Sequence, residues 1–504
     1  MFESAELGHK IDKARYHEEE PKLRNALLEA QYELVKRKSF RVVILIAGVD
    51  GAGKGETLNI LNEWMDPRHL MTNAVRPVAD GLEGRPPMWR FWRALPPKGA
   101  GAMFVGSWYT TPLLERVYGE TKASELDQEL DEILKFETML LHEDTVLLKF
   151  WLHLSKEQQR KRFKHLEKSK KTAWRVSATD WKHLEMYKKF QSTAQHMLRA
   201  TSTSEAPWLI VEGKDERYRN LTIGNAILTA LRRRLDADAA AEEAAKKKKA
   251  EIGAHEVPPP RQFESIDGVT VLDRLQLDQP LSKDEYHDQL SIEQGRLNLA
   301  LRHKRFHKLS VIGVFEGSDA AGKGGAIRRL TQALDARQYD VIPIAAPSEE
   351  EKARPYLWRF WRQVPQRGRL AIFDRSWYGR VLVERVEQLC SVADWSRAYG
   401  EINDFEQQLH ANHTIVVKFW LQISKEEQLR RFEERQKVPH KQHKITDEDW
   451  RNREKWDQYN AAVCEMIDRT STEHAPWTLV EANNKYFARL KILRTMADAI
   501  EAAL

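Results

Sequence analysis

The chain comes round twice. Lys54 and Lys323, Ser107 and Ser376, Lys149 and Lys418, and Glu212 and Glu481 are each separated by the same offset: 323 − 54, 376 − 107, 418 − 149 and 481 − 212 all give 269. The segment Arg85-Pro86-Pro87-Met88-Trp89-Arg90-Phe91-Trp92-Arg93 answers Arg354-Pro355-Tyr356-Leu357-Trp358-Arg359-Phe360-Trp361-Arg362, and Lys149-Phe150-Trp151-Leu152 answers Lys418-Phe419-Trp420-Leu421. A constant offset of this size marks a duplicated domain and excludes a short-period solenoid. The seam is Ala237 to Lys249, a tract of alanine, glutamate and lysine without an apolar face, followed by Pro258-Pro259-Pro260. The tract reads as a continuation of the last helix of the first copy, and the prolines as an extended spacer. The division is 1–235, a linker at 236–264, and 265–504.

Each copy carries one glycine-rich turn. In the second, Glu316-Gly317-Ser318-Asp319-Ala320-Ala321-Gly322-Lys323-Gly324-Gly325 follows the apolar run Val311 to Phe315 and precedes a helical pattern. Gly317, Gly322 and Lys323 fit the G-x-x-x-x-G-K frame of a Walker A phosphate loop. Glycines let backbone N–H groups reach phosphate oxygens, and the helix N-terminus adds its positive dipole end. Ala321, Gly324 and Gly325 complete the cradle. Gly324 stands where such loops usually carry a Ser or Thr that holds Mg2+, so the metal needs another ligand, and Asp319 is nearest. The first copy has the same turn at Gly48 to Gly55, with Asp50 and Lys54.

A second acidic motif separates the copies. Arg369-Leu370-Ala371-Ile372-Phe373-Asp374-Arg375-Ser376-Trp377-Tyr378 reads as a strand ending in a carboxylate, the Walker B position, where Asp374 is placed to hold Mg2+. Arg375 and Arg380 read as phosphate ligands. Glu384 has two readings, a metal or water ligand and an ion-pair partner. The first copy puts Val105, Gly106 and Thr111 where Asp374, Arg375 and Arg380 stand. Valine neither coordinates a metal nor carries charge, so the chemistry is expected in the second copy.

Strand-like runs at Leu309–Phe315, Tyr339–Ile344, Leu370–Phe373, Thr414–Trp420 and Trp477–Val480 alternate with helical patterns, the third followed by a helix from about Trp377. This implies a parallel sheet with helices on both faces, with ligands at the carboxyl ends of the strands. Ser155-Lys156-Glu157-Gln158 and Ser424-Lys425-Glu426-Glu427 read as capping boxes that start basic helices. Arg430, Arg431 and Arg435 on the second, and the polar stretch Gln436 to Lys444 beyond it, read as a lid over the phosphates, with His440 and His443 as solvated cations. Trp358 to Trp361 recurs in both copies, which favours core packing over base stacking.

The formal charge of +6 is small for 504 residues and argues against a general nucleic-acid binder. Two cysteines, Cys390 and Cys464, make neither a disulfide framework nor a zinc site and fit a reducing compartment. No run approaches the roughly 20 apolar residues that span a bilayer, and the charged stretch Met1 to Lys22 is unlike a signal peptide. A cytoplasmic protein that binds neither nucleic acid nor membrane is expected. The oligomeric state is not fixed by the sequence, and a homo-oligomer stays open.

The pairing of Gly-Ser-Asp-Ala-Ala-Gly-Lys-Gly-Gly (Gly317 to Gly325) with Phe-Asp-Arg-Ser-Trp-Tyr (Phe373 to Tyr378) closely resembles the polyphosphate kinase 2 family, and the tandem arrangement resembles its class II, the polyphosphate:AMP phosphotransferases. The resemblance covers residues 1–235 and 265–504. It implies an α/β fold of two tandem P-loop kinase-like domains similar to thymidylate kinase, each with a helical lid. It also implies polyphosphate as donor, AMP as acceptor, ADP as product and Mg2+ as cofactor. Asp319 and Lys323 match the family's first motif, Asp374 and Arg375 its second, Arg380 a phosphate-binding arginine and Arg430 to Arg435 its lid. Three rivals remain. A polyphosphate-dependent ADP or GDP kinase would share these motifs. An ATP-using nucleoside monophosphate kinase is disfavoured by Gly324, and a non-catalytic polyphosphate-binding scaffold by the intact Asp374-Arg375.

Overall fold

The computed structural model describes residues 1–75, 84–251, 269–438 and 447–504. The chain divides into two compact units, each built on a five-stranded parallel sheet. In the first unit the strands are β1 (Arg41–Gly48), β2 (Leu70–Ala74), β3 (Gly101–Val105), β4 (Thr145–His153) and β5 (Trp208–Glu212), in the order β2-β3-β1-β4-β5. In the second they are β6 (Ser310–Gly317), β7 (Tyr339–Pro343), β8 (Leu370–Asp374), β9 (Thr414–Gln422) and β10 (Trp477–Glu481), in the equivalent order β7-β8-β6-β9-β10. All pairings are parallel.

The central strands are apolar on both faces because helices cover both. Ile44 and Leu45 of β1, and Val311 and Ile312 of β6, are fully or almost fully buried. Beside β6, Leu297 and Leu301 from the helix Lys283–Arg302 and Ile492 and Met496 from the helix Lys485–Ala503 complete one core. Leu27, Leu34, Ile223 and Ile227 do the same beside β1.

The five expected strands of the second copy are present, each within two residues of its expected bounds. The helix expected from about Trp377 is not continuous. Trp377–Arg380 is a 3-10 turn, Val383–Val386 a single helical turn, and the long helix starts only at Val392. In the first copy the equivalent stretch is a regular helix, Thr110–Tyr118. Gly379 replaces Thr110, and glycine in a helix costs about 1 kcal/mol. Pro112 sits in the first turn of the first-copy helix, where no intrahelical N–H bond is needed.

The capping box at Ser155 forms in full. The one at Ser424 is half formed. Ser424 caps the Glu427 N–H, but the Glu427 carboxylate turns to Arg430 and Arg431, and Asn483 takes the Ser424 N–H. The helix Glu216–Glu251 runs through the alanine-rich tract. Pro258 to Pro260, and most of the expected lid with His440 and His443, lie outside the described residues.

Candidate active site

The loop of the second copy leaves β6 at Gly317, where φ is +154° and a Cβ would fall 2.6 Å from the Leu421 carbonyl oxygen. Only glycine fits there. Gly322, also at positive φ, caps the helix Lys323–Thr331. Lys323 folds back over the turn and its Nζ donates to the Gly317 carbonyl at 2.6 Å. Behind the loop, Gln428 donates to the Asp319 carbonyl at 3.1 Å. Arg431 donates to the Ala320 and Ala321 carbonyls at 2.9 and 3.0 Å, and to those of Ala482 and Asn483 at 2.7 and 2.9 Å. In this conformation Arg431 braces the loop. Arg430 is exposed and paired with Glu427. Ala321, Gly322, Gly325, Arg430, Arg431 and Arg435 all line one open cavity of about 980 Å³. Gly324, on the same helical turn, leaves its surroundings open.

Asp374 ends β8 level with Phe315 of β6. Parallel pairing therefore brings it beside the loop. The next residue, Arg375, has a left-handed backbone, φ 64°, and its Nη2 lies 3.5 Å from Asp319 Oδ1. The other Asp319 oxygen accepts from Asn452 Nδ2 at 2.8 Å. Arg380 and Glu384 form an ion pair at 2.7 Å, the second of the two sequence readings of Glu384. Asp319, Lys323, Asp374 and Arg375 thus gather at one end of the sheet. Arg431, on the helix Lys425–Lys437, approaches the loop from behind.

Sequence reasoning passed over Glu316 and Asn452. Glu316 is buried and accepts from Ser376 Oγ at 2.8 Å. Burial pushes its carboxyl up, against the Ser376 hydrogen bond and the charges of Lys323 and Arg375. The signal was available, since the first copy has Ala47 at this position.

Below the site, Lys418 and Glu406 form a fully buried pair at 2.7 Å. Trp377 Nε1 donates to Glu406 at 3.0 Å and Tyr378 Oη at 2.7 Å. This network fixes the turn that carries Asp374 and Arg375. Lys149, Glu137, Trp108 and Tyr109 repeat it in the first copy, which explains why these motifs survive duplication. Phe360 and Trp361 are buried, packed on Trp377 and Phe405, as the packing reading expects.

In the first copy Asp50 is neutralised from within. Lys54 Nζ lies 3.1 Å from Oδ1, and His183 Nδ1 lies 2.6 Å from Oδ2. Burial raises the Asp50 carboxyl, but Lys54 and His183 more than offset this and hold it well below the usual range. Gly106 adopts the left-handed backbone of Arg375 without a side chain.

Among the described residues no group of three or more His, Cys, Asp or Glu forms a metal cage. A hard divalent cation such as Mg2+ is commonly held by one or two carboxylates, with phosphates and waters completing its shell. Asp319 and Asp374 offer oxygen donors of that kind beside a phosphate loop, so the donor set fits.

The family model for polyphosphate kinase 2 matches residues 10–239 and 280–504, both copies. The chain belongs to the polyphosphate kinase 2 family. A polyphosphate:AMP phosphotransferase of Pseudomonas aeruginosa is 56% identical over 504 residues, covering 100% of this chain and 99% of the relative. One of Acinetobacter johnsonii is 37% identical, covering 94% and 95%. A crystal structure described as a polyphosphate kinase 2 from Pseudomonas aeruginosa superposes with a TM-score of 0.88 at 53% identity, covering 100% of this chain and 99% of that one. Phosphotransferases of this family generally need a divalent cation. No helix among the described residues is long and apolar enough to cross a membrane.

Proposed function

We propose that this polyphosphate kinase 2 chain moves a phosphoryl group from inorganic polyphosphate to AMP, giving ADP, in the second copy, residues 265–504. The first copy, residues 1–235, is then a degenerate partner joined through 236–264. The observation that carries the reading is the meeting of Asp319 and Arg375 beside Lys323 and Asp374, where the first copy has Gly106 and Val105.

An oxygen of the AMP phosphate attacks the terminal phosphorus of the chain, and the bridging P–O bond breaks to release a chain one unit shorter. A phosphomonoester loses its second proton near pH 6, so the attacking oxygen is already anionic at neutral pH and no strong base is needed. The protein's task is to hold two polyanions in line and absorb their charge. Lys323, Arg375 and Arg380 meet the phosphates around the transferred group. Gly317, Ala321, Gly322, Gly324 and Gly325 cradle them with backbone N–H groups, and Arg430, Arg431 and Arg435 supply the positive wall of the cavity. Asp319 and Asp374 would hold Mg2+, which when bound neutralises phosphate charge; Glu384 either adds to that set or orients Arg380. Both sides of the reaction hold phosphoanhydrides, so it runs in either direction. Cytoplasmic nucleotide metabolism suits these substrates.

The test is a panel of donors and acceptors with Mg2+, with products separated. ADP formed from polyphosphate and AMP is the expected result. Strong ADP formation with ATP as the better donor would overturn the reading.

A further inference from the structure

In the first copy three arginines close on a single carboxylate of the same chain. Glu56 lies in the first turn of the helix Lys54–Trp64, directly after the loop. Its Oε1 is 2.7 Å from Arg162 Nη2 and 3.3 Å from Arg175 Nη1, and its Oε2 is 3.1 Å from Arg219 Nη2. Three guanidinium groups therefore converge on one carboxylate at the positive end of a helix, where a phosphate would sit. The Arg219 side chain is 2% exposed. Its Nη1 reaches the Ala52 and Gly213 carbonyls at 3.3 and 3.4 Å, and its buried Nε has no hydrogen-bond partner.

The second copy shows what the cluster replaces. The offset of 269 puts Gly325 at the Glu56 position (325 − 56), Ala488 at Arg219 (488 − 219) and Arg431 at Arg162 (431 − 162). With glycine there the groove is open, and Gly325 and Arg431 line the cavity of about 980 Å³ together with Arg489.

We propose that Glu56 is a tethered anion occupying a phosphate subsite of the first copy, and that Arg162, Arg175 and Arg219 form a latent site for a short phosphate chain. The carboxylate is covalently held, so it outcompetes a free phosphate for the three arginines. The copies thus differ twice over. Val105 and Gly106 remove the transfer groups, and Glu56 closes the cradle against the substrate.

The proposal rests on the reading that a phosphate chain is a ligand of the second copy, and its test separates the two. Tripolyphosphate binding to the full chain is counted by calorimetry for wild type, Glu56→Gly and Glu56→Gln. Each variant is expected to bind one more tripolyphosphate per chain than wild type. Arg162→Met added to either variant is expected to remove that extra site. An unchanged count in both variants, with melting transitions showing both folded, overturns the proposal. So does an extra site that survives Arg162→Met. A wild-type protein that binds none and makes no ADP would sink the functional reading, while the difference between variant and wild type still decides this one.

Discussion

Arg375 reaches Asp319 across the mouth of the loop, at 3.5 Å, from a backbone held in the left-handed region at φ 64°. Ala320, next to Asp319 in the loop, is left-handed too, at φ 63°. The first copy has glycine at both positions, Gly51 and Gly106, with φ 77° and 76°. The same backbone is thus relaxed in one copy and strained in the other. Strain of this kind collects where the side chain serves function.

Arg375→Gly therefore moves stability and activity in opposite directions. Relief of the left-handed backbone is worth about 1 kcal/mol, so the melting temperature holds or rises. Loss of the guanidinium lowers AMP phosphorylation by about 100-fold or more. Arg375→Ala is expected to lose the activity without the gain in stability. Thermal melts and initial rates on the same preparations check both.

Asp374→Val writes the first-copy residue into the second. It removes a cation ligand and leaves the cradle of Gly317 to Gly325 intact. Phosphoryl transfer is expected to fall by about 100-fold or more, while calorimetry still detects polyphosphate binding. Loss of both would mean that Asp374 shapes the binding site.

Glu406→Gln tests the buried network. It leaves the Lys418 ammonium, fully buried beside Tyr378 and Thr470, without its counter-charge. Breaking one partner of a buried pair costs about 3–5 kcal/mol. Denaturant unfolding of the second copy should shift by that order, and activity should fall with it because the amide, a weaker acceptor for Trp377 and Tyr378, turns its N–H groups toward the Lys418 ammonium.

Glu129 in the first copy gives a pH signature. Burial, with the nearby Glu115, Glu132 and Glu125, pushes its carboxyl up to about 7. The folded state holds the proton more tightly than the unfolded state. Stability is therefore unaffected at low pH, where both states are protonated, and falls as pH rises from the ordinary glutamate value of 4.5 towards about 7. Glu129→Gln should match wild type near pH 4.5 and melt higher above pH 7. A difference that grows on acidification would have the wrong sign.

Most of the fold was legible because its signals are local. The repeat is visible as a fixed offset, and buried parallel strands show as runs of β-branched and aromatic residues. The places of Lys323 at the start of a helix and of Asp374 at the end of a strand were legible because a glycine-rich turn and a strand-end carboxylate are short motifs. The helix expected from about Trp377 failed because Gly379 breaks a pattern that side-chain periodicity alone supports. Glu316, at the end of an apolar strand, was legible only by comparison with Ala47 of the first copy, and Asn452 was hidden because it reaches Asp319 from 133 residues away. Glu56 looked ordinary, since acidic residues favour the first turn of any helix. Only its three arginine partners, distant in sequence, give it meaning.

The central claim is that one of two similar loops does the work. Lys323→Ala and Lys54→Ala, assayed side by side for ADP formed from polyphosphate and AMP, test it most directly. Lys323→Ala should lose about 100-fold or more, and Lys54→Ala should retain most of the wild-type rate. Equal losses in two folded variants would contradict the account.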